Sequence, residues 1–135
     1  MKAFVDTNVF VRHLTGDPAD QGAAATQFLA AADALYLTDL VIAEVVYVLE
    51  SYYKVGRERV AKLVRAVVGF PATVVVDEAL ILRALEVYEL DRLDFAEAYL
   101  VACAERSGVR AIATFDRSVD RIVSVVRIDP GAAAA

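Results

Sequence analysis

The chain has 135 residues, 59% of them apolar, and carries a net charge of −5 from 14 basic and 19 acidic side chains. That length fits one domain with a single sizeable core. The acidic balance excludes a general nucleic-acid coat protein, whose electrostatic footprint is basic.

Residues 2–5 read as a first strand, which ends abruptly at Asp6. A helix follows from Asn8 to about Leu14 and is broken at Gly16. Asp17 and Pro18 then look like an N-cap followed by proline at the first helical position, opening an alanine-rich helix to about Ala32. Leu35 to Leu37 is a short second strand. Thr38 or Asp39 caps a long apolar helix from about Leu40 to Tyr53. After Gly56 a helix from Arg57 to Val68 is expected, and Thr73 to Val76 is the third strand. Asp77 caps a helix through about Tyr88, and Asp94 begins another that runs to Ser107 and stops at Gly108. Arg110 to Thr114 is the fourth strand, a helical turn follows Asp116, and Ser124 to Ile128 is the fifth. Gly131 and the four alanines after it read as a tail without chemistry.

Strands alternating with helices predict an α/β fold, a three-layer α/β/α arrangement around a central, mostly parallel sheet of four to five strands. The expected organisation is one domain over residues 1–128 with a flexible tail over 129–135. No run of about 18 charge-free apolar residues occurs, so no membrane-spanning helix is expected. The N-terminus opens directly on a strand with no secretory signal pattern. The single cysteine, Cys103, excludes an internal disulfide framework and reads as a core thiol. Together these features predict a cytoplasmic protein.

The chemistry concentrates in carboxylates. In an open α/β sheet the ligand crevice lies beyond the carboxyl ends of the strands, where Asp6 and Asp116 both fall. Either acid also fits as a helix N-cap. Glu44 interrupts the apolar run Leu40 to Leu49, and an ionised carboxylate buried there would need a cation or good hydrogen bonds. Alternatively Glu44, Tyr47, Ser51 and Lys54 follow helical spacing and form one polar stripe. Asp94 and Glu97 share a helix face, but the same spacing makes a capping box. A phosphatase of the haloacid dehalogenase type would need an aspartate where Asn8 stands. A receiver domain would need a late lysine, and the last one is Lys62. Neither a P-loop nor a glycine-rich dinucleotide fingerprint occurs. The lone His13 cannot build a zinc site and reads as a surface or edge residue. Lys54, Arg57, Arg59, Lys62 and Arg65 form a basic cluster, either a solvated helix face or a rim that contacts phosphates.

Taken together, Phe4-Val5-Asp6-Thr7-Asn8, Ala43-Glu44, Asp94-Phe95-Ala96-Glu97-Ala98 and Thr114-Phe115-Asp116 resemble the PIN domain, and within it the VapC-type toxin ribonucleases of prokaryotic toxin–antitoxin pairs. The resemblance covers about residues 2 to 128. Each motif is weak singly; four in order over a chain of this length are specific. It implies that Asp6, Glu44 and Asp116 are family acids. The remaining acid is usually an aspartate before an alanine, and Glu97 stands there instead. Glutamate reaches one methylene further, so either Glu97 or Asp94 could supply that ligand. Thr7, Asn8 and Thr114 match positions that support the acids by hydrogen bonds.

The resemblance further implies a Mg²⁺-dependent endoribonuclease, with Mn²⁺ as a substitute, in which water activated by one or two hard cations attacks the phosphodiester. Arg12, Arg57, Arg59 and Lys62 are candidate contacts to RNA phosphates. A VapB-like antitoxin, a homodimer and an RNA substrate are the implied partners, and Tyr47, Tyr52 and Tyr53 fit a protein interface. A PIN-like binding module without catalysis and a structure-specific DNA nuclease are the rival readings.

Overall fold

A computed structural model of the chain describes residues 1–133; the last two alanines of the expected tail lie outside the described residues. The element order is β1 (Lys2–Phe4), α1 (Thr7–Thr15), α2 (Ala19–Ala31), β2 (Ala34–Tyr36), α3 (Asp39–Ser51), α4 (Arg57–Val68), β3 (Thr73–Val74), α5 (Glu78–Leu90), α6 (Phe95–Ser107), β4 (Ala111–Ala113), a 3₁₀ turn (Arg117–Arg121), β5 (Val126–Ile128) and α7 (Pro130–Ala133). The α/β class is as expected, and every strand pairing is parallel. The strands hydrogen-bond as a set of three, β1-β2-β3, and a set of two, β4-β5. They belong to two compact units, Met1–Glu78 and Ala79–Ala135.

In the first unit Phe4 pairs with Tyr36, and Tyr36 with Val74. The apolar sides of the helices close the core, burying Phe10, Leu35, Ile42, Leu49, Val60 and Val64 almost completely. Burial of each large side chain stabilises the fold by about 1.5–3 kcal/mol. Of the two candidate caps before α3, Thr38 serves: its hydroxyl accepts from the Val41 amide at 3.2 Å. α1 ends at Gly16, whose φ of 67° is the left-handed conformation that glycine adopts without steric cost. Pro18 itself is the N-cap of α2 and forms no side-chain cap. The expected Asp17 cap is therefore a correction: that carboxylate instead accepts from the Tyr53 hydroxyl at 2.9 Å. Gly22 sits where α1 and α2 approach, and a Cβ there would lie 2.7 Å from the Gly16 Cα, inside any real contact.

In the second unit Tyr88, Leu85, Leu93, Ala98 and Val101 are fully buried, and Tyr88 meets Phe95 edge-on at 6.1 Å. α6 stops at Gly108, with φ 79°. Cys103 is half-buried rather than a core thiol, because two residues on from the fully buried Val101 it is turned to the other side of α6. An ion pair ties α5 to α6: the Arg83 Nε and Nη2 donate to Glu105 at 2.8 and 3.0 Å, and the Ser124 hydroxyl also donates to Glu105. The Arg83 hydrogen bonds, foremost, hold the Glu105 carboxyl below its ordinary value.

A depressed carboxyl contributes stability that is present above the unfolded value, near 4.5, and is lost as pH falls through the folded value. Replacing Glu105 with glutamine is therefore expected to cost about 1 kcal/mol at pH 7, a figure discounted for the partly exposed Arg83. The difference from the parent should close as the pH drops below 4.5. Denaturant melts across a pH series check it; a gap constant from neutral to acid pH would contradict the assignment.

Candidate functional site

β1 ends at Phe4, and the extended backbone of the following residues turns Val5 inward and Asp6 out to solvent. Asp6 is the N-cap of α1, with φ −80° and ψ 159°, and its Oδ1 accepts from the Thr7 amide at 2.8 Å. Thr7, only 6% exposed, donates its hydroxyl to Glu44 Oε2 at 2.6 Å. One buried residue thus fastens two carboxylates, one at the strand end and one on α3. Glu44 itself is exposed, as are Tyr47, Ser51 and Lys54. The polar-stripe reading of α3 is the one observed, and the stripe carries Glu44 to the hydroxyl of Thr7.

In the second unit Asp94 precedes α6 and makes no side-chain capping bond. Glu97 Oε2 is buried and has no hydrogen-bond partner. The capping box therefore does not form. Burial, above all, pushes the Glu97 carboxyl up from its ordinary value, and the charges of Asp116 and then Asp94 push it further. A shielded, unpartnered carboxylate oxygen beside two other acids is poor for stability. A cation is one thing that would relieve it, and carboxylate oxygens are the ligand type a hard divalent metal takes.

Asp116 follows β4 and caps the 3₁₀ turn, its Oδ1 accepting from the Ser118 amide at 2.8 Å. That amide first, then the Ser118 hydroxyl and the Arg121 guanidinium, hold Asp116 below the usual carboxylate range. The Asp116 amide in turn donates to the Thr114 hydroxyl at 3.0 Å. The two shifts run in opposite directions, Asp116 down and Glu97 up. Among the described residues, neither unit gathers three His, Cys, Asp or Glu side chains closely enough to form a finished metal cage.

The remaining candidates are dispersed. Asn8 is exposed and, with Arg12, lines a groove of about 370 Å³ between α1 and α2 that Phe28 also walls. Arg12 donates to the Asp17 carbonyl at 3.3 Å. Arg59 and Lys62 are exposed on α4, with Arg57 and Arg65 half-buried. His13 is exposed and hydrogen-bonded to Thr26 at 2.8 Å, as its surface reading expected. Tyr47 and Tyr52 are exposed, and Tyr53 is half-buried.

Two arginines near Asp116 escape sequence reasoning. Arg127 donates to Asp120 at 3.1 Å and to the Thr114 carbonyl at 3.4 Å, bracing the turn that carries Asp116. Arg121 donates to the Asp91 and Arg92 carbonyls at 3.2 and 3.3 Å. The available signal for Arg127 was a charge inside the apolar run Val125-Val126-Arg127-Ile128.

No curated protein matches the chain. Among solved structures, the VapC20 toxin of Mycobacterium tuberculosis, described as cleaving the sarcin–ricin loop, is similar at 20% identity with a TM-score of 0.45, over 96% of this chain and 100% of that one. The family model for the PIN domain matches residues 3–124, a span that contains Asp6, Glu44, Asp94, Glu97 and Asp116. With nearly its whole length matched, this chain belongs to the PIN domain family.

Proposed function

We propose that the chain is a metal-dependent endoribonuclease of the VapC type, with Asp6, Glu44, Asp94, Glu97 and Asp116 as its acids. The observation that carries this reading is the buried Glu97 oxygen, left without a partner in the company of Asp94 and Asp116. The capping box with Asp94 that would have given Glu97 a structural role does not form.

Carboxylates alone repel an RNA phosphate, so the acids need a cation. Asp6 and either Glu97 or Asp94 would be the principal ligands, with Glu44 and Asp116 completing the site directly or through water. The cation, Mg²⁺ or Mn²⁺, would offset charge on the phosphoryl oxygen and make a bound water more acidic. Thr7 fixes the directions of Asp6 and Glu44, so neither must be reoriented when substrate arrives. The Ser118 amide favours the charged form of Asp116, the form that a cation would take. Thr114 and Arg127 hold the backbone of that turn. Arg12, Arg57, Arg59 and Lys62 are the side chains proposed to meet the RNA backbone away from the acids.

The same reading brings a VapB-like antitoxin and a homodimer, for which Tyr47 and Tyr52 offer exposed aromatic surface. It also makes residues 1–128 one working PIN domain. Among the described residues no helix is long and apolar enough to cross a membrane.

Incubating the purified protein with labelled RNA and with single- and double-stranded DNA, with Mg²⁺ or with EDTA, tests the activity. RNA cut internally with Mg²⁺ and left intact with EDTA is the expected result. Cleavage confined to DNA would favour the structure-specific DNA nuclease, and no cleavage of either would favour a binding module.

A further inference from the structure

The segment joining β4 to the 3₁₀ turn presents a large aromatic ring to water. Phe115 is 75% exposed, although the Ile112 and Val119 that flank its turn are buried. The cause is local. The hydrogen bond from the Asp116 amide to the Thr114 hydroxyl closes a tight turn in which Phe115 is the apex. Arg127, holding the Thr114 carbonyl, keeps that apex in place. Leaving a phenyl ring in solvent forfeits about 1.5–3 kcal/mol of burial. A ring held out by its own turn, next in sequence to an acid of the proposed metal site, has a recognisable use.

Nucleobases are planar and apolar on their faces, and they stack on aromatic side chains only when unpaired. Arg117, exposed at the start of the same turn, supplies a cation for the phosphate that accompanies such a base. An A-form duplex keeps its bases stacked on each other and offers no free face to a protruding ring.

We propose that Phe115 stacks on an unpaired nucleobase beside the phosphate cleaved at the acidic site. The inference rests on the ribonuclease reading and deepens it: it names a residue that holds the substrate beside the acids. Phe115 is then a specificity-determining residue, and its neighbour Asp116 remains the acid.

The test uses the full chain with Mg²⁺ and a hairpin RNA carrying 2-aminopurine at single loop positions, beside its fully paired counterpart. The parent should cut the loop and spare the duplex. Phe115→Ala should raise KM, with kcat/KM falling roughly 5- to 100-fold, and Phe115→Tyr should restore most of it. A fold defect would not be rescued by tyrosine while sparing the melting temperature, which should stay near the parent's in both variants because the ring is already in solvent. In a non-cleaving Asp6→Asn background, binding should change the 2-aminopurine fluorescence at one loop position, and adding Phe115→Ala should remove that change. Parent cleavage unaffected by Phe115→Ala, with the fluorescence change intact, overturns the stacking proposal and leaves the nuclease standing. Equal cleavage of the duplex also overturns it. A parent that cuts no RNA at all overturns the ribonuclease reading, and the stacking proposal with it.

Discussion

An Asp6→Asn protein is expected to fold as the parent does and to lose at least about 100-fold in the rate of metal-dependent RNA cleavage. The two halves of that expectation come from different atoms of one residue. As N-cap, Asp6 receives the Thr7 amide on Oδ1, and asparagine caps a helix about as well as aspartate. The Thr7 hydroxyl keeps its bond to Glu44 in either case. What asparagine removes is the negative charge, which a hard cation needs and a capped amide does not. Circular dichroism and a thermal melt check the first half, and initial rates on labelled RNA check the second. Normal cleavage by a well-folded Asp6→Asn protein would sink the assignment of Asp6 as a metal ligand.

Glu97→Gln should also abolish cleavage, but here the stability should change as well. In the metal-free protein the Glu97 oxygen is shielded, has no hydrogen-bond partner, and lies within reach of the charges on Asp116 and Asp94. Removing its charge relieves burial and repulsion together, so the variant should melt roughly a few degrees above the parent without metal. Divalent cation reverses the ranking. At about 100 times its Kd, Mg²⁺ or Mn²⁺ adds about 2.7 kcal/mol to a protein that binds it only when folded. The parent should gain that and the variant much less. Thermal melts of both proteins, in EDTA and in a Mn²⁺ titration, give the four values required. A variant that melts lower than the parent in EDTA, with a parent indifferent to Mn²⁺, would mean that Glu97 serves the fold and not a metal.

Much of this arrangement was legible in the letters because it depends on local backbone chemistry. Gly16 and Gly108 stop their helices in the left-handed conformation. Thr38 caps α3 within three residues, and both aspartates stand just past short apolar strands. The PIN resemblance rested on the motifs around those two aspartates together with Ala43-Glu44 and Asp94 to Ala98, and it agrees with the family match over residues 3–124. What the letters hid depends on partners remote in sequence. Helical spacing allowed Glu44 its place on a polar stripe, but its bond to Thr7, 37 positions away, could not be read from that spacing. Spacing could not tell a capping box at Asp94 and Glu97 from a pair of unengaged acids, since both need the same interval. Strand ends were overestimated, as at Thr73–Val74, because β-branched residues favour extended backbone whether or not a neighbouring strand is there to pair with it. Arg127 was passed over because its acceptors, Asp120 and the Thr114 carbonyl, lie on other segments.

The closeness of the first two helices is fixed by a missing atom. Even a methyl group on Gly22 would collide with the main chain at Gly16. A homologue with alanine at that place must hold its second helix farther out, and the trench beside Asn8 and Arg12 widens accordingly. How that flank is shaped is therefore inherited through a position with no side chain to compare, one that surveys of charged or aromatic residues pass over.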